Sequence, residues 1–311
     1  MHGWNVSGSI QRELGGNGMT LPKFEYLAPK TLQEACSLLL KHKGRVQVMS
    51  GGTDVLPQMK NRDLTPQYVI GLRSISGLDY VEHDKKSGLR IGGLATLNQV
   101  AESPVVLNEF PMLSETILKM ASVQVRNIAT IAGNLCNAAP AADTAPTLIA
   151  MGATVKLNDA NGSSRIVRLE DFFTGPYKTI LGEGEVLSEI QVPNAPARSG
   201  GAYWKLSLRR AVELATVGVA CLVTLDGNGI CQDIRIALGA VAPTPLRVKE
   251  AEELIRGLGL REDILEKVAK ATMAASKPRN ITTADYKRKM VGVLTKRVIS
   301  QAWEAAGKDC R

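Results

Sequence analysis

Between Arg126 and Lys156, in the stretch RNIATIAGNLCNAAPAADTAPTLIAMGATVK, the only charged side chain is Asp143. Across the whole chain 22% of residues are charged, so a run this bare is expected inside the protein rather than on its surface. It nevertheless contains Thr130, Gly133, Asn134 and Asn137, and buried polar side chains need hydrogen-bond partners. Neighbouring backbone is one source of partners; the hydroxyls and phosphates of a bound cofactor are another. Asp143 sharpens the choice, because an isolated carboxylate in an apolar setting is costly unless hydrogen-bonded. Polyol hydroxyls would satisfy it, and so would the N-terminus of the helix expected over TAPTLIA.

A second segment, VMSGGTDVL at residues 48–56, runs from the alternating strand RVQVMS into adjacent glycines. Gly51 and Gly52 can take backbone angles closed to other residues, which lets successive N–H groups converge on an anion. Thr53 adds a hydroxyl donor. Asp54 is expected to cap the helix starting at Val55, because its charge opposes a phosphate. A tight turn is the competing explanation of the glycine pair. The spacing fits neither G-x-G-x-x-G nor the Walker pattern, which argues against a nicotinamide-binding Rossmann site or a P-loop.

Charge and composition narrow the remaining classes. The chain has 311 residues, a net charge of +8 and 44% hydrophobic residues, enough for a large core in about two domains. Its Lys and Arg are scattered, and the run Lys287-Arg288-Lys289, near Lys296 and Arg297, reads as the solvated face of a C-terminal helix. With 4% aromatic residues there is no interleaved basic-aromatic surface for nucleic acid. Cys36, Cys136, Cys221, Cys231 and Cys310 form no CxxC pair, and His2, His42 and His83 are dispersed. Neither a disulfide framework nor a protein-ligated metal is expected, and a reducing cytoplasm fits best. No segment reads as a membrane span or signal peptide, and residues 1–19 are expected to be a peripheral extension.

Along the chain, TLQEACSLLLKHK opens with Thr31 and Glu34 at capping-box spacing and sets Leu32, Cys36 and Leu39 on one helix face. QYVIGL reads as a strand, LDYVEHDKKSGLRIGGL as a hairpin turning near Ser87-Gly88, and FPMLSETILKMAS as a helix. Asn161-Gly162 marks another hairpin, and EVLSEIQVP a further strand. The Pro, Gly and Ser of residues 194–202 mark a domain boundary. Beyond it, YWKLSL, LATVGVACLVTLD and ICQDIRIALGAV predict a three-stranded antiparallel sheet. A last helix is expected to cover it with Tyr286, Met290, Val293 and Leu294. Phe172, Phe173, Tyr177 and Trp204 are expected in the core, whereas Lys205 is open to a further role, stabilising negative charge on a reduced ring. The irregular alternation of strands and helices predicts an α+β protein.

Taken in order, SGGTDVL, QVRNIATIAGNLCNAAPAADTAP, FFTGPYKT, GEVLSEIQVP and GAVAPTPLR resemble the FAD-binding medium subunit of molybdenum hydroxylases, of the xanthine dehydrogenase and carbon monoxide dehydrogenase type. The resemblance implies an α+β fold. A two-subdomain PCMH-type FAD-binding domain at 20–196 (about 20–75 and 76–196) precedes a C-terminal domain at 201–308 with a three-stranded antiparallel sheet and helices. It implies that FAD pyrophosphate is held by Val48, Met49, Ser50, Gly51, Gly52, Thr53 and Asp54, and by Ala129, Thr130, Ile131, Ala132, Gly133 and Asn134. Asp143 matches an aspartate at the ribityl chain, Leu181 and Val186 fall near the isoalloxazine, and Lys205 matches a lysine near the ring. No side chain is implied as a catalytic acid or base, and no metal or iron-sulfur cluster is implied in this chain. A large molybdopterin subunit and a small [2Fe-2S] subunit are implied as partners in a heterotrimer, with NAD or another carrier as electron acceptor. The alternative is a self-sufficient FAD-dependent oxidase or reductase of the same FAD-binding fold. Two departures stand out: Ala132 replaces a glycine, which requires negative φ there, and Glu213 replaces an aspartate.

Overall fold

The computed structural model describes residues 20–209, 212–279 and 281–308. The expected extension at 1–19 and Cys310 lie outside them. The chain opens with β1 (Glu25–Leu27), α1 (Leu32–Lys41), β2 (Val46–Met49), α2 (Val55–Lys60) and β3 (Tyr68–Gly71). The three strands form a parallel sheet in the order β1-β3-β2. At the head of α1 the Thr31 hydroxyl accepts from the Glu34 amide at 3.1 Å, while the Glu34 carboxylate accepts from Lys30 N rather than closing the box on Thr31. Cys36 is buried, with Leu32 and Leu39 packed beside it against Ile70 and Leu72.

The next part begins with the expected hairpin, β4 (Val81–Asp84) and β5 (Gly88–Gly92). Five short helices follow: α3 (Leu97–Ala101), α4 (Pro104–Glu109), α5 (Pro111–Leu118), α6 (Val123–Arg126) and α7 (Ile131–Asn137). Then come α8 (Thr144–Ala150), β6 (Thr154–Asn158), β7 (Ser164–Arg168), the small hairpin β8 (Phe173–Gly175) and β9 (Lys178–Thr179), and β10 (Val186–Val192). A five-stranded antiparallel sheet runs β4-β5-β10-β6-β7, with the β6-β7 turn at Asn161-Gly162. Every residue of α8 is buried, as the uncharged run requires. Phe172 is fully buried and Phe173 partly so, but Tyr177 is 65% exposed at φ +57°. Its place in the tight β8-β9 turn explains the difference, since its amide donates to Ala138 O and its ring is directed off the core.

The last part holds β11 (Ser199–Leu206), β12 (Val217–Leu225), β13 (Cys231–Gly239) and β14 (Leu246–Arg247) in one antiparallel sheet. The expected three strands thus gain a two-residue fourth, whose sequence signal is hidden behind Pro243 and Pro245. Helices α9 (Lys249–Glu253), α10 (Glu262–Ala275) and α11 (Ile281–Lys308) complete the chain. The face of α11 differs from expectation: Tyr286 is 53% and Val293 38% exposed, while Val291, Leu294, Val298, Ile299, Ala302 and Ala306 are buried. The reason is close approach. A Cβ at Gly200 would lie 2.1 Å from Ala302 O and 2.2 Å from Ala306 N, so the small residues set the helix's rotation on β11. Trp204 is half-buried beneath the Arg297 guanidinium, 5.7 Å from its ring centre. No helix among the described residues is long and apolar enough to cross a membrane.

Candidate cofactor site

The two segments singled out in the sequence meet. The loop after β2 and the loop before α7 are joined by the Ser50 and Thr130 hydroxyls, 3.0 Å apart. Gly51 is what permits the contact, since a Cβ there would stand 2.4 Å from Ile128 O and 2.9 Å from Ala129 Cα. Gly52 takes φ +74°, the left-handed region that favours glycine. From behind, Arg73 donates to Ile128 O at 3.2 Å, and Leu97 N donates to Ala129 O at 2.8 Å. Both loops are thereby tied to each other and to the surrounding backbone.

What these loops leave unused is backbone N–H. The amides of Gly51, Gly52, Thr53 and Asp54 donate to no protein acceptor among the described residues. Asp54 does not cap α2 as expected: its backbone is already helical, at φ −103° and ψ −44°, and its side chain makes no cap bond. On the other loop, Thr130 caps α7 by accepting from Gly133 N at 2.9 Å, the antiparallel bridge between Thr96 and Thr130 takes up the Ile131 amide, and the Ala132 amide in the first helical turn has no intrahelical partner. Ala132 lies within the helix and not among the positive-φ residues, so its methyl group is accommodated without strain. Among the described residues, and apart from its chain neighbours and its own helix backbone, the one atom close to a Cβ added at Gly133 would be Thr130 Oγ1, at 2.9 Å. Touching loops with unpaired amides and a bare glycine suit an anionic, extended group such as a dinucleotide pyrophosphate.

The polar side chains of the uncharged run find mostly protein partners. Asn134 accepts from the Thr144 hydroxyl at 2.6 Å. Asp143 sits at the N-terminus of α8 but makes no cap bond. Its carboxylate is taken instead by two side chains of β11: Tyr203 OH donates to Oδ1 at 2.5 Å and Lys205 Nζ to Oδ2 at 2.8 Å. The side chains of Asp143 and Lys205 are each 7% exposed. Burial pushes the Asp143 carboxyl above its ordinary range, against the opposing pull of Lys205 and Tyr203. Tyr203 was not singled out in the sequence, although strand alternation two residues before Lys205 places it on the same face.

The remaining predicted positions are less closely joined. Leu181 is half-buried against the central core. Its loop is pinned by Glu185, which accepts from Arg165 Nε and Nη2 at 2.7 Å each and from Gly182 N at 2.6 Å. Those bonds, the Arg165 pair above all, hold the Glu185 carboxyl below its usual range. The Val186 side chain packs into the cluster of Ala35, Cys36 and Ile70, against which Val48 of the first segment also rests. Glu213 pairs with Arg209 at 2.6 Å on the loop after β11.

Fold and site together define a flavoprotein of the paired-loop type. Residues 22–195 match the family described as the FAD binding domain in molybdopterin dehydrogenase, and residues 202–302 the CO dehydrogenase flavoprotein C-terminal domain. The carbon monoxide dehydrogenase medium chain of Hydrogenophaga pseudoflava is 36% identical over 92% of this chain and 99% of its own length. A putative xanthine dehydrogenase FAD-binding subunit of Escherichia coli is 31% identical over 91% of this chain and 97% of its own. Among solved structures, carbon monoxide dehydrogenase from Hydrogenophaga pseudoflava superposes with a TM-score of 0.88 at 35% identity, covering 92% of this chain and 99% of that one. Quinoline 2-oxidoreductase from Pseudomonas putida gives 0.85 at 27% identity, covering 94% and 100%. The chain belongs to the FAD-binding medium-subunit family of the carbon monoxide and xanthine dehydrogenases. It is an oxidoreductase subunit, and FAD is its cofactor.

Proposed function

We propose that this chain is the electron-transfer subunit of a cytoplasmic molybdenum hydroxylase. It takes electrons from the [2Fe-2S] clusters of a small partner subunit and passes them to NAD or another acceptor, while a large molybdopterin subunit oxidises the substrate. The observation that carries the reading is the contact of two glycine-bearing loops that leave the amides from Gly51 to Asp54 and at Ala132 without a protein acceptor among the described residues. In this reading Val48 to Asp54 and Ala129 to Asn134 hold the FAD pyrophosphate. The unpaired amides from Gly51 to Asp54 and at Ala132 bind its charge, Gly51 lets the two loops touch, Gly133 keeps the approach clear, and the Ser50-Thr130 link fixes the spacing. Asp143 and Lys205 orient and balance charge beside the flavin, and Leu181 and the backbone at Val186 exclude water from it. Bound FAD supplies the junction between one-electron and two-electron transfer. The FAD-binding domain at 20–196, in subdomains about 20–75 and 76–196, and the C-terminal domain at 201–308 belong to this reading.

Affinity purification from native cells tests it. Co-purification of molybdopterin-containing and [2Fe-2S] subunits, with flavin reduction on adding substrate, is the expected result. Recovery of a lone chain that oxidises a substrate by itself would instead establish a self-sufficient flavin oxidase.

A further inference from the structure

The buried carboxylate of Asp143 joins two parts of the chain through a residue that the resemblance does not assign. Successive residues of a strand point to opposite faces, so Tyr203 and Lys205 of β11 share one face. Both reach Asp143, and each carboxylate oxygen has its own donor: the Tyr203 hydroxyl at 2.5 Å on Oδ1 and the Lys205 ammonium at 2.8 Å on Oδ2. Tyr203 is 2% exposed and sits against Gly218 of β12, where a Cβ would stand 3.0 Å from the hydroxyl oxygen. Burial and the neighbouring carboxylate push the Tyr203 phenol well above its ordinary pKa, so it remains a donor.

A carboxylate held at one oxygen can turn about its Cβ–Cγ bond; held at both, it cannot. We propose that Tyr203 is a positioning residue of the flavin site, whose hydroxyl locks the Asp143 carboxylate, and through it the Lys205 ammonium, in a single arrangement toward the flavin. This rests on the reading that Asp143 and Lys205 serve the flavin. Without the hydroxyl, Oδ1 is left unpaired in a buried setting, the carboxylate binds a proton more readily, and the Lys205 charge is less balanced. Reduced flavin, the more negative form, then gains relative to oxidised flavin.

The test is the midpoint potential of bound FAD in the full-length chain and its Tyr203→Phe and Gly218→Ala variants, alongside FAD titration and thermal unfolding. Tyr203→Phe is expected to favour reduced over oxidised FAD by about tenfold, a rise of roughly 30 mV for a two-electron couple. Gly218→Ala keeps the hydroxyl but crowds it, and is expected to move the potential in the same direction by less. It decides the matter if Tyr203→Phe does not fold. If both variants bind FAD and lose thermal stability with no change in potential, Tyr203 is only structural and the proposal falls. If the unsubstituted chain binds no FAD, the flavin reading falls and takes this one with it.

Discussion

Replacing Gly51 by alanine adds one methyl group where the two loops touch. The new Cβ would lie 2.4 Å from Ile128 O and 2.9 Å from Ala129 Cα, both main-chain atoms that cannot swing aside. Ordinary contact begins near 3.4 Å, so the loops must part by about 1 Å. Overpacking of this kind costs about 1–3 kcal/mol. Loss of the Ser50-Thr130 bond adds about 1 kcal/mol, and both effects are present before FAD binds. Hydrogen bonds from amides to a charged phosphate are worth about 1.5–3 kcal/mol each, so losing one weakens FAD by roughly tenfold or more. The assay is denaturant unfolding of the apoprotein with FAD titration by fluorescence. Gly162→Ala is the control, because Gly162 has φ +80° in open space at a hairpin turn. It is expected to cost about 1 kcal/mol in stability through backbone strain and to leave FAD affinity unchanged. Wild-type FAD affinity in Gly51→Ala would refute the clamp.

Three further perturbations follow from the same geometry. Lys205→Met strands the Asp143 carboxylate in a buried site and is expected to cost about 3–5 kcal/mol near neutral pH. Because the folded Asp143 pKa is already raised, the native state binds the extra proton and stability falls as pH rises through that pKa, so acidification should recover part of the loss in urea titrations. Glu185→Gln removes a carboxylate whose folded pKa is lowered by Arg165. Its contribution, about 1 kcal/mol, is present above the unfolded pKa and lost as pH falls through the folded one, so variant and wild type should converge in acid-melting curves. Gly200→Ala drives a Cβ into the α11 backbone at Ala302 and Ala306 and should lower the unfolding free energy by at least about 1–3 kcal/mol in denaturant titrations, with FAD affinity spared.

How much of this was legible in the sequence depended on whether a feature was local. The loop at Gly51-Gly52, the buried run around Asp143 and the hairpins at Ser87-Gly88 and Asn161-Gly162 carry their own signals, in backbone freedom, missing charge and turn chemistry. Features made by partners distant in sequence did not show. Asp54 and Asp143 both precede helices and both look like caps, yet neither makes a cap bond, because each backbone is already helical. Asp143 found Tyr203, 60 residues away, which no local pattern announces. The exposed placement of Tyr286 and Val293 reflects the rotation of α11 on Gly200, a packing constraint that apolar periodicity alone cannot carry. Ala132 shows the reverse: a residue that looked like a defect in a glycine pair is an ordinary first-turn helix position.

The central claim is that backbone amides from two separate loops hold FAD between them. Amide hydrogen exchange of the full-length chain, with and without saturating FAD, reads those donors directly. The account predicts slowed exchange at Gly51, Gly52, Thr53 and Asp54 together with Ala132, while the turn at Gly162 is unaffected. Tight FAD binding with no protection on either loop would contradict it.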